Sequence, residues 1–275
     1  MISPLLTLAL ASTASAACTR ATLQEVTAAY IKAQISGTGL SSLPLATTYS
    51  YIENDERVNV TSSVLSKPLP IDFQQSFYDT TACATFTELN AASASHPYVI
   101  HTQLRLTDNK ITAIDSVVSD DGDWVFDAKS HLSWARSEKW DSIPSANQDT
   151  RAVIQAAGDT YLNQWGDPKL PVPLATPCAR LEGGHYTGEG NLTANTCLMG
   201  AFPYPLTIAN RRYVVDVDAG VVSILNDFPF LEASKPNGTT PSSNLFYVQG
   251  GLIRYIHEVT VCATRMCGRE LPPPS

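Results

Sequence analysis

The sequence predicts an α+β fold in which a helix packs on a curved antiparallel sheet, and it predicts this fold twice. Three observations carry the reading. Short self-similarities recur in the same order along the chain, each repeat opens on an amphipathic helix, and each closes on segments that turn into hairpins.

The repeat comes first, because it fixes the organisation. Arg20-Ala21-Thr22-Leu23-Gln24 resembles Arg151-Ala152-Val153-Ile154-Gln155, and Tyr30-Ile31 matches Tyr161-Leu162 at the same offset. Pro44-Leu45-Ala46-Thr47 recurs as Pro173-Leu174-Ala175-Thr176, with Ile52-Glu53 and Leu181-Glu182 following at the same distance. Near the end of each half, Ile111-Thr112-Ala113-Ile114-Asp115 resembles Ile253-Arg254-Tyr255-Ile256-His257. Each match is weak, but their shared order points to duplication. The expected modules are 17–145 and 146–268, with a Pro-rich, unstructured tail at 269–275.

Leu23, Val26, Tyr30 and Ile31 fall on one helical face, as do Ile154, Ala157, Tyr161, Leu162 and Trp165. Gly and Pro stop both helices before the P-L-A-T segments. Strand-like segments follow. Residues 98–106 turn at Asp108-Asn109 into 111–118, 212–217 turn at Ala219-Gly220 into 221–225, and 244–248 turn at Gly250-Gly251 into 252–261. Asn and Gly suit such turns because they tolerate positive φ. A helix followed by hairpins yields a helix-on-sheet layer.

Ahead of the first module, Leu5-Leu6-Thr7-Leu8-Ala9-Leu10-Ala11 leads to Ala14-Ser15-Ala16. A short apolar run closed by an A-x-A site reads as a cleavable signal peptide over 1–16, too short to span a bilayer. The expected location is therefore the secretory lumen or the cell exterior, with no membrane association after cleavage. Cys18, Cys83, Cys178, Cys197, Cys262 and Cys267 form an even set, which in an exported chain suggests disulfides. Cys178 with Cys197 is the best guess for a local staple, and a bond at Cys18 would pin the mature N-terminus to the fold. The spacing lacks the paired C-x-x-C of a structural zinc site, so no metal is expected. Asn59, Asn191 and Asn237 stand in glycosylation sequons. A net charge of −8 with no basic cluster argues against nucleic acid.

The opening helix, Leu45-Ala46-Thr47…Tyr51-Ile52-Glu53-Asn54 and the closing Gly251-Leu252-Ile253-Arg254-Tyr255-Ile256-His257 together resemble the NTF2-like superfamily, also called SnoaL-like or ketosteroid-isomerase-like. Cys178-Ala179-Arg180-Leu181-Glu182-Gly183-Gly184-His185-Tyr186-Thr187-Gly188 looks like the signature of an exported group in filamentous fungi. The resemblance implies two tandem cone-shaped α+β barrels, each a helix on a bent sheet around one pocket, with an intramolecular pseudo-dimer as one arrangement. It also implies cofactor-free isomerase or cyclase chemistry on a small carbonyl or anhydride compound in secondary metabolism. Cyclases that couple maleic-anhydride units into maleidride rings are the most specific version. The superfamily also holds non-catalytic binding modules, so fold does not settle function.

In such a pocket a base removes a proton next to a carbonyl, and donors hold the enolate. His257 is the first candidate base, with Tyr255 on its strand face and Arg254 and Glu258 on the other. The plainer reading of His257 is a structural histidine. Asp115 holds the matching place in the first half, and His101 lies in an alternating strand. Arg180 and Glu182 alternate on one face and line a cavity mouth, or else form a surface ion pair of little worth. The substrate-binding set is thus Arg180, Glu182, Arg254 and His101. Glu53, which repeats Glu182, reads as structural, and His185 reads as a turn residue. Asp216 and Asp218 read as exposed carboxylates near a turn, Asp120-Asp121-Gly122-Asp123 as an acidic turn, and the four tryptophans as core or interface residues. There is no G-x-S-x-G elbow, phosphate loop, dinucleotide fingerprint or H-E-x-x-H. A binding protein without catalysis, and a hydrolase or lyase acting on a polymer, are the competing classes.

Overall fold

The computed structural model describes residues 18–200, 205–229 and 239–267. The expected signal peptide at 1–16, the sequon at Asn237 and the tail at 269–275 lie outside the described residues.

The first module opens with α1 (Arg20–Ser36), where the Thr19 side chain accepts from the Thr22 N–H and Gly37 closes the helix in the left-handed conformation. Its strands are β1 (Leu45–Glu53), β2 (Glu56–Arg57), β3 (Phe73–Asp79), β4 (Ala84–Ala91), β5 (Tyr98–Thr107) and β6 (Lys110–Ser119). A connecting helix, α2 (Ala128–Ser137), leads to α3 (Arg151–Asn163), capped by Thr150 as α1 is by Thr19. The second module adds β7 (Leu174–Glu182), β8 (His185–Tyr186), β9 (Ala209–Asp216), β10 (Val221–Pro229), β11 (Thr239–Gln249) and β12 (Leu252–Thr260). The two six-stranded sheets have the same order, β2-β1-β6-β5-β4-β3 and β8-β7-β12-β11-β10-β9.

The sheets are mixed rather than purely antiparallel as expected. β1 runs parallel to β6, and β7 parallel to β12. β1 and β7 each turn first into a short antiparallel strand, β2 and β8, and the chain comes back beside them at β6 and β12 only after three further strands, a long return that permits parallel pairing.

Strand register turns the sequence repeat into a structural one. Leu45, Ile52 and Glu53 sit opposite Ile111, Asp115 and Ser116. Leu174, Leu181 and Glu182 sit opposite Ile253, His257 and Glu258. Asp115 and His257 are therefore equivalent positions, and so are Ser116 and Glu258.

Leu23, Val26, Tyr30 and Ala33 of α1 pack on Leu104, Ile111 and Ile114 of the first sheet. Ile154, Ala157, Tyr161 and Leu162 of α3 pack on Val222, Ile224, Phe246 and Ile256 of the second. Two further cores join the modules: Phe77 and Phe86 meet Val214, Val221, Leu245 and Tyr247, while Val99 and Val117 meet Leu225 and Val259. Strands β3–β6 and β9–β12 thus bury their own helix with one face and the other module with the opposite face. Three disulfides close the described fold, Cys18–Cys83, Cys178–Cys197 and Cys262–Cys267. The local staple and the anchored Cys18 both stand as the sequence suggested.

Candidate functional site

Strand alternation decides which side chains enter the space beneath α3. Glu258 of β12 faces the helix, where its Oε1 accepts from Tyr161 Oη at 2.5 Å. Arg180 of β7 brings its guanidinium 3.4 Å from the same phenol and 3.7 Å from Glu182. Glu182 in turn accepts from the Trp124 indole N–H at 2.6 Å. Trp124 belongs to the segment between β6 and α2, so the connection between modules closes the second module's pocket. Trp165, Phe228 and Asn244 complete a cavity of about 40 Å³ against Glu258 and Glu182.

The connection fits there because two glycines make room. A Cβ at Gly183 would stand 2.5 Å from the Trp124 carbonyl oxygen, and one at Gly184 would stand 2.4 Å from Asp127 Cβ. The acidic turn before Trp124 is also anchored: Asp123 accepts from the Cys262 N–H at 2.9 Å, and Arg265 pairs with Asp120.

Electrostatics in this pocket favour a proton on Glu258. Burial raises its pKa, the Glu182 charge raises it further, and Arg180 with the Tyr161 hydrogen bond only partly offset this, so it lies at about 7. Burial and the neighbouring Glu258 likewise push the Tyr161 phenol well above its ordinary value.

The equivalent space in the first module is built differently. Ser116 replaces Glu258, and Tyr30 Oη meets Thr102 Oγ1 at 2.7 Å, with Ser116 Oγ 2.8 Å further on. Val64, Leu65 and Leu69 fill the apolar side. Glu53 accepts from Tyr51 Oη at 2.8 Å and from the Val64 N–H at 3.0 Å, consistent with the structural role read for it.

His257 is not among the residues that line the Glu258 cavity. It points away from Glu258, into the contact between modules, and is fully buried. Its Nδ1 lies 2.9 Å from Glu88 Oε1 of β4 and its Nε2 lies 2.8 Å from Glu138 Oε2. His131 of α2 reaches the same Glu88 oxygen at 2.7 Å, and His101 of β5 stands 3.4 Å from it. The Gln75 amide donates to the other Glu88 oxygen. Burial opposes charge on the His257 imidazole, but Glu88 and Glu138 outweigh it and push its pKa up to about 10. Burial alone would raise the Glu88 carboxyl, yet the His257 charge and the histidine hydrogen bonds hold it well below the ordinary range. A group so firmly ion-paired is a poor base for a substrate proton.

The other expected residues scatter. Asp115, equivalent to His257, also faces the second module, where Arg212 Nε lies 2.7 Å from it. Tyr255 stacks on Trp140 with ring centroids 5.8 Å apart, on the same face as His257. Arg254 lines a shallow outer cleft of about 390 Å³ with Lys139, Asp141 and Tyr247, away from Glu258. His101 is buried between modules. Of the substrate-binding set, only Arg180 and Glu182 come together. Asp216, expected exposed, is buried under Arg20 because α1 of one module docks on β9 of the other. His185, expected on a turn, instead opens β8 just after the Gly183-Gly184 turn and pairs there with Glu182. Asn59 and Asn191 are exposed.

Glu258, Tyr161, Trp124 and Glu88 are the residues that sequence reasoning did not assign to a site. Glu258 carried a signal, because it stands beside His257 and so takes the opposite strand face; the expectation that Arg254 shares that face fails, since an irregularity between Ile253 and Tyr255 breaks the alternation. Tyr161 carried another, its repetition as Tyr30, which reads equally as core. Trp124 and Glu88 carried none, since their roles arise from contacts between distant segments.

A protein-family model described as a domain of unknown function (DUF8021) matches residues 147–260, which is the second module. No curated protein and no solved structure matches the chain.

Proposed function

We propose that the chain is an exported enzyme of ketosteroid-isomerase type whose reaction occurs in the second module. Its expected substrate is a small carbonyl or anhydride compound. The observation that carries the reading is the convergence of Glu258, Tyr161, Arg180 and Glu182 beneath α3. A carboxylate that titrates near neutrality serves both as base and as acid. Glu258 takes the proton from the carbon next to the carbonyl, and the enolate oxygen is held by Tyr161 or Arg180. The proton then returns to another carbon, giving an isomer, or the enolate carbon attacks a second electrophile, giving a ring. Coupling of two anhydride units, as in maleidride formation, is the narrowest form of this proposal and rests on the family resemblance. The NTF2-like assignment and passage through the secretory route belong to the same proposal, and the three disulfides support the latter. The cores shared by the two sheets support an intramolecular pseudo-dimer.

The enclosed space of about 40 Å³ holds only a few waters, so substrate enters with Trp124 or Trp165 swung aside. That small volume favours a second reading, a small-ligand-binding protein without catalysis. Incubating the secreted chain with a panel of unsaturated carbonyl acids and cyclic anhydrides, followed by mass and chromatographic analysis, separates the two. Isomerised or coupled products that vanish with Glu258→Gln support the enzyme. Ligands that bind and are recovered unchanged support the binding protein.

A further inference from the structure

The four side chains between the modules gather three histidine rings around one buried carboxylate. Glu88, His101, His131 and His257 are all fully buried. One nitrogen of each histidine is taken by an outer partner: His131 Nδ1 by the Gly183 carbonyl at 2.6 Å, His257 Nε2 by Glu138 at 2.8 Å and His101 Nδ1 by Ser243 Oγ at 2.8 Å. The other three nitrogens all face Glu88 Oε1, at 2.7, 2.9 and 3.4 Å. Ligating atoms of Glu88, His131 and His257 lie within 4.8 Å of one another.

A carbonyl only accepts, so His131 Nδ1 carries a hydrogen. In the neutral ring, Nε2 is then a lone pair aimed at a carboxylate oxygen. The same holds for His257, whose Nε2–H donates to Glu138. A lone pair against an anion is repulsive unless positive charge lies between them. Two buried imidazoliums, their rings 5.6 Å apart, would meet the need for His131 and His257. They leave His101 Nε2 buried with only a long 3.4 Å contact to Glu88 and no well-aligned hydrogen bond among the described residues. A divalent ion serves the His131 and His257 nitrogens together with the carboxylate, and takes His101 as well once that ring moves closer.

We propose that Glu88, His131 and His257, with His101 as the fourth ligand, bind one divalent transition-metal ion, for which Zn²⁺ is the best match. Neutral imidazoles plus a carboxylate suit its four-coordinate preference. Outer hydrogen bonds to a carbonyl, a carboxylate and a hydroxyl are the partners that orient metal-bound histidines. Metal–ligand bonds of about 2.0–2.2 Å require Glu88 to draw back from the His131 and His257 nitrogens by roughly half an ångström, and His101, which lies outside the group of ligating atoms within 4.8 Å of one another, to move in. Full burial assigns the ion a structural role. It would tie β4 and β5 of the first module to α2 and to β12 of the second, and so hold the strand that presents Glu258.

The test uses the full secreted chain without a histidine tag. Elemental analysis should find close to one zinc or other first-row ion per chain. Chelator-stripped protein titrated with Zn²⁺ alone should bind one equivalent and gain melting temperature. Glu88→Gln and His101→Ala should each weaken binding by about tenfold or more. A His96→Ala/His185→Ala double variant, which removes the remaining histidines, should bind as the wild type does. The proposal is overturned if the wild-type chain is metal-free as purified and Zn²⁺ neither binds the stripped chain nor shifts its melting. It is equally overturned if the double variant loses the metal while Glu88→Gln keeps it. Should the cluster variants fail to fold, the wild-type metal content and titration decide alone.

Discussion

Arg20 at the start of α1 holds Asp216 at the end of β9 through two parallel hydrogen bonds of 2.9 Å. Arg151 at the start of α3 holds Asp79 at the end of β3 through two of 2.7 Å. The two arginines are equivalent in the repeat, and so are the two aspartates. Each module therefore inserts the first residue of its helix into the other's sheet.

Both aspartates are buried and also accept backbone N–H groups, Asp216 from Tyr78 at 2.8 Å and Asp79 from Val215 at 2.9 Å. Asp216→Ala and Asp79→Ala should each cost about 3 kcal/mol, because an arginine and a backbone donor lose their acceptor together. Chemical denaturation measures this. Losses below about 1 kcal/mol, the range of a surface pair, would show that the reciprocal contact contributes little.

Arg212 gathers three carboxylates, with Asp115 at 2.7 Å, Asp55 at 2.8 Å and Asp227 at 3.7 Å. Burial raises the Asp55 pKa, Arg212 opposes, and Asp227 and Asp115 add to the rise, leaving it at about 6. A carboxyl raised in the folded state binds its proton more tightly there than when unfolded. Its contribution is full below the unfolded value of about 4 and is lost as pH climbs through about 6. Asp55→Asn should flatten the fall in stability across that window, as followed by thermal melting at a series of pH values. An unchanged slope would contradict the assignment.

Loop length ranks the disulfides. The Cys18–Cys83 pair closes a separation of 65 residues and the Cys262–Cys267 pair one of 5. Chain-entropy reasoning gives about 4 and about 2 kcal/mol. Paired serine substitutions should reproduce that order in denaturation midpoints, and a reversed order would point to strain or residual unfolded structure instead.

Trp124 closes the Glu258 cavity while its indole donates to Glu182. Trp124→Ala should open the space and raise the affinity for a small apolar fluorescent dye, whereas Trp124→Phe should keep it shut. Fluorescence titration of the three proteins reads this directly. Equal dye binding in all three would mean that Trp124 is not the closure.

Much of the fold was legible because it is local or repeated. The amphipathic spacing of Leu23, Val26 and Tyr30, echoed by Ile154, Ala157 and Tyr161, marks both helices, and the strand segments carry their own turn residues. The parallel pairing of β1 with β6 was not legible, since nothing within either segment encodes which neighbour it takes. The site divides in the same way. Arg180 and Glu182 share one strand face and stay together in space. His257 was chosen for its chemistry, but the face it occupies is fixed by the other module, and Glu88, the group that decides its charge, lies far away in sequence. Its neighbour Glu258 faces the pocket because successive strand residues point to opposite sides.

The most direct test is hydrogen–deuterium exchange at carbons next to the carbonyl of small carbonyl acids, followed by proton NMR in heavy water. Wild-type protein should accelerate exchange above buffer for at least one compound, and Glu258→Gln should abolish it while leaving the melting temperature near that of the wild type. No acceleration by the wild type across the panel, or exchange undiminished in Glu258→Gln, would contradict the account.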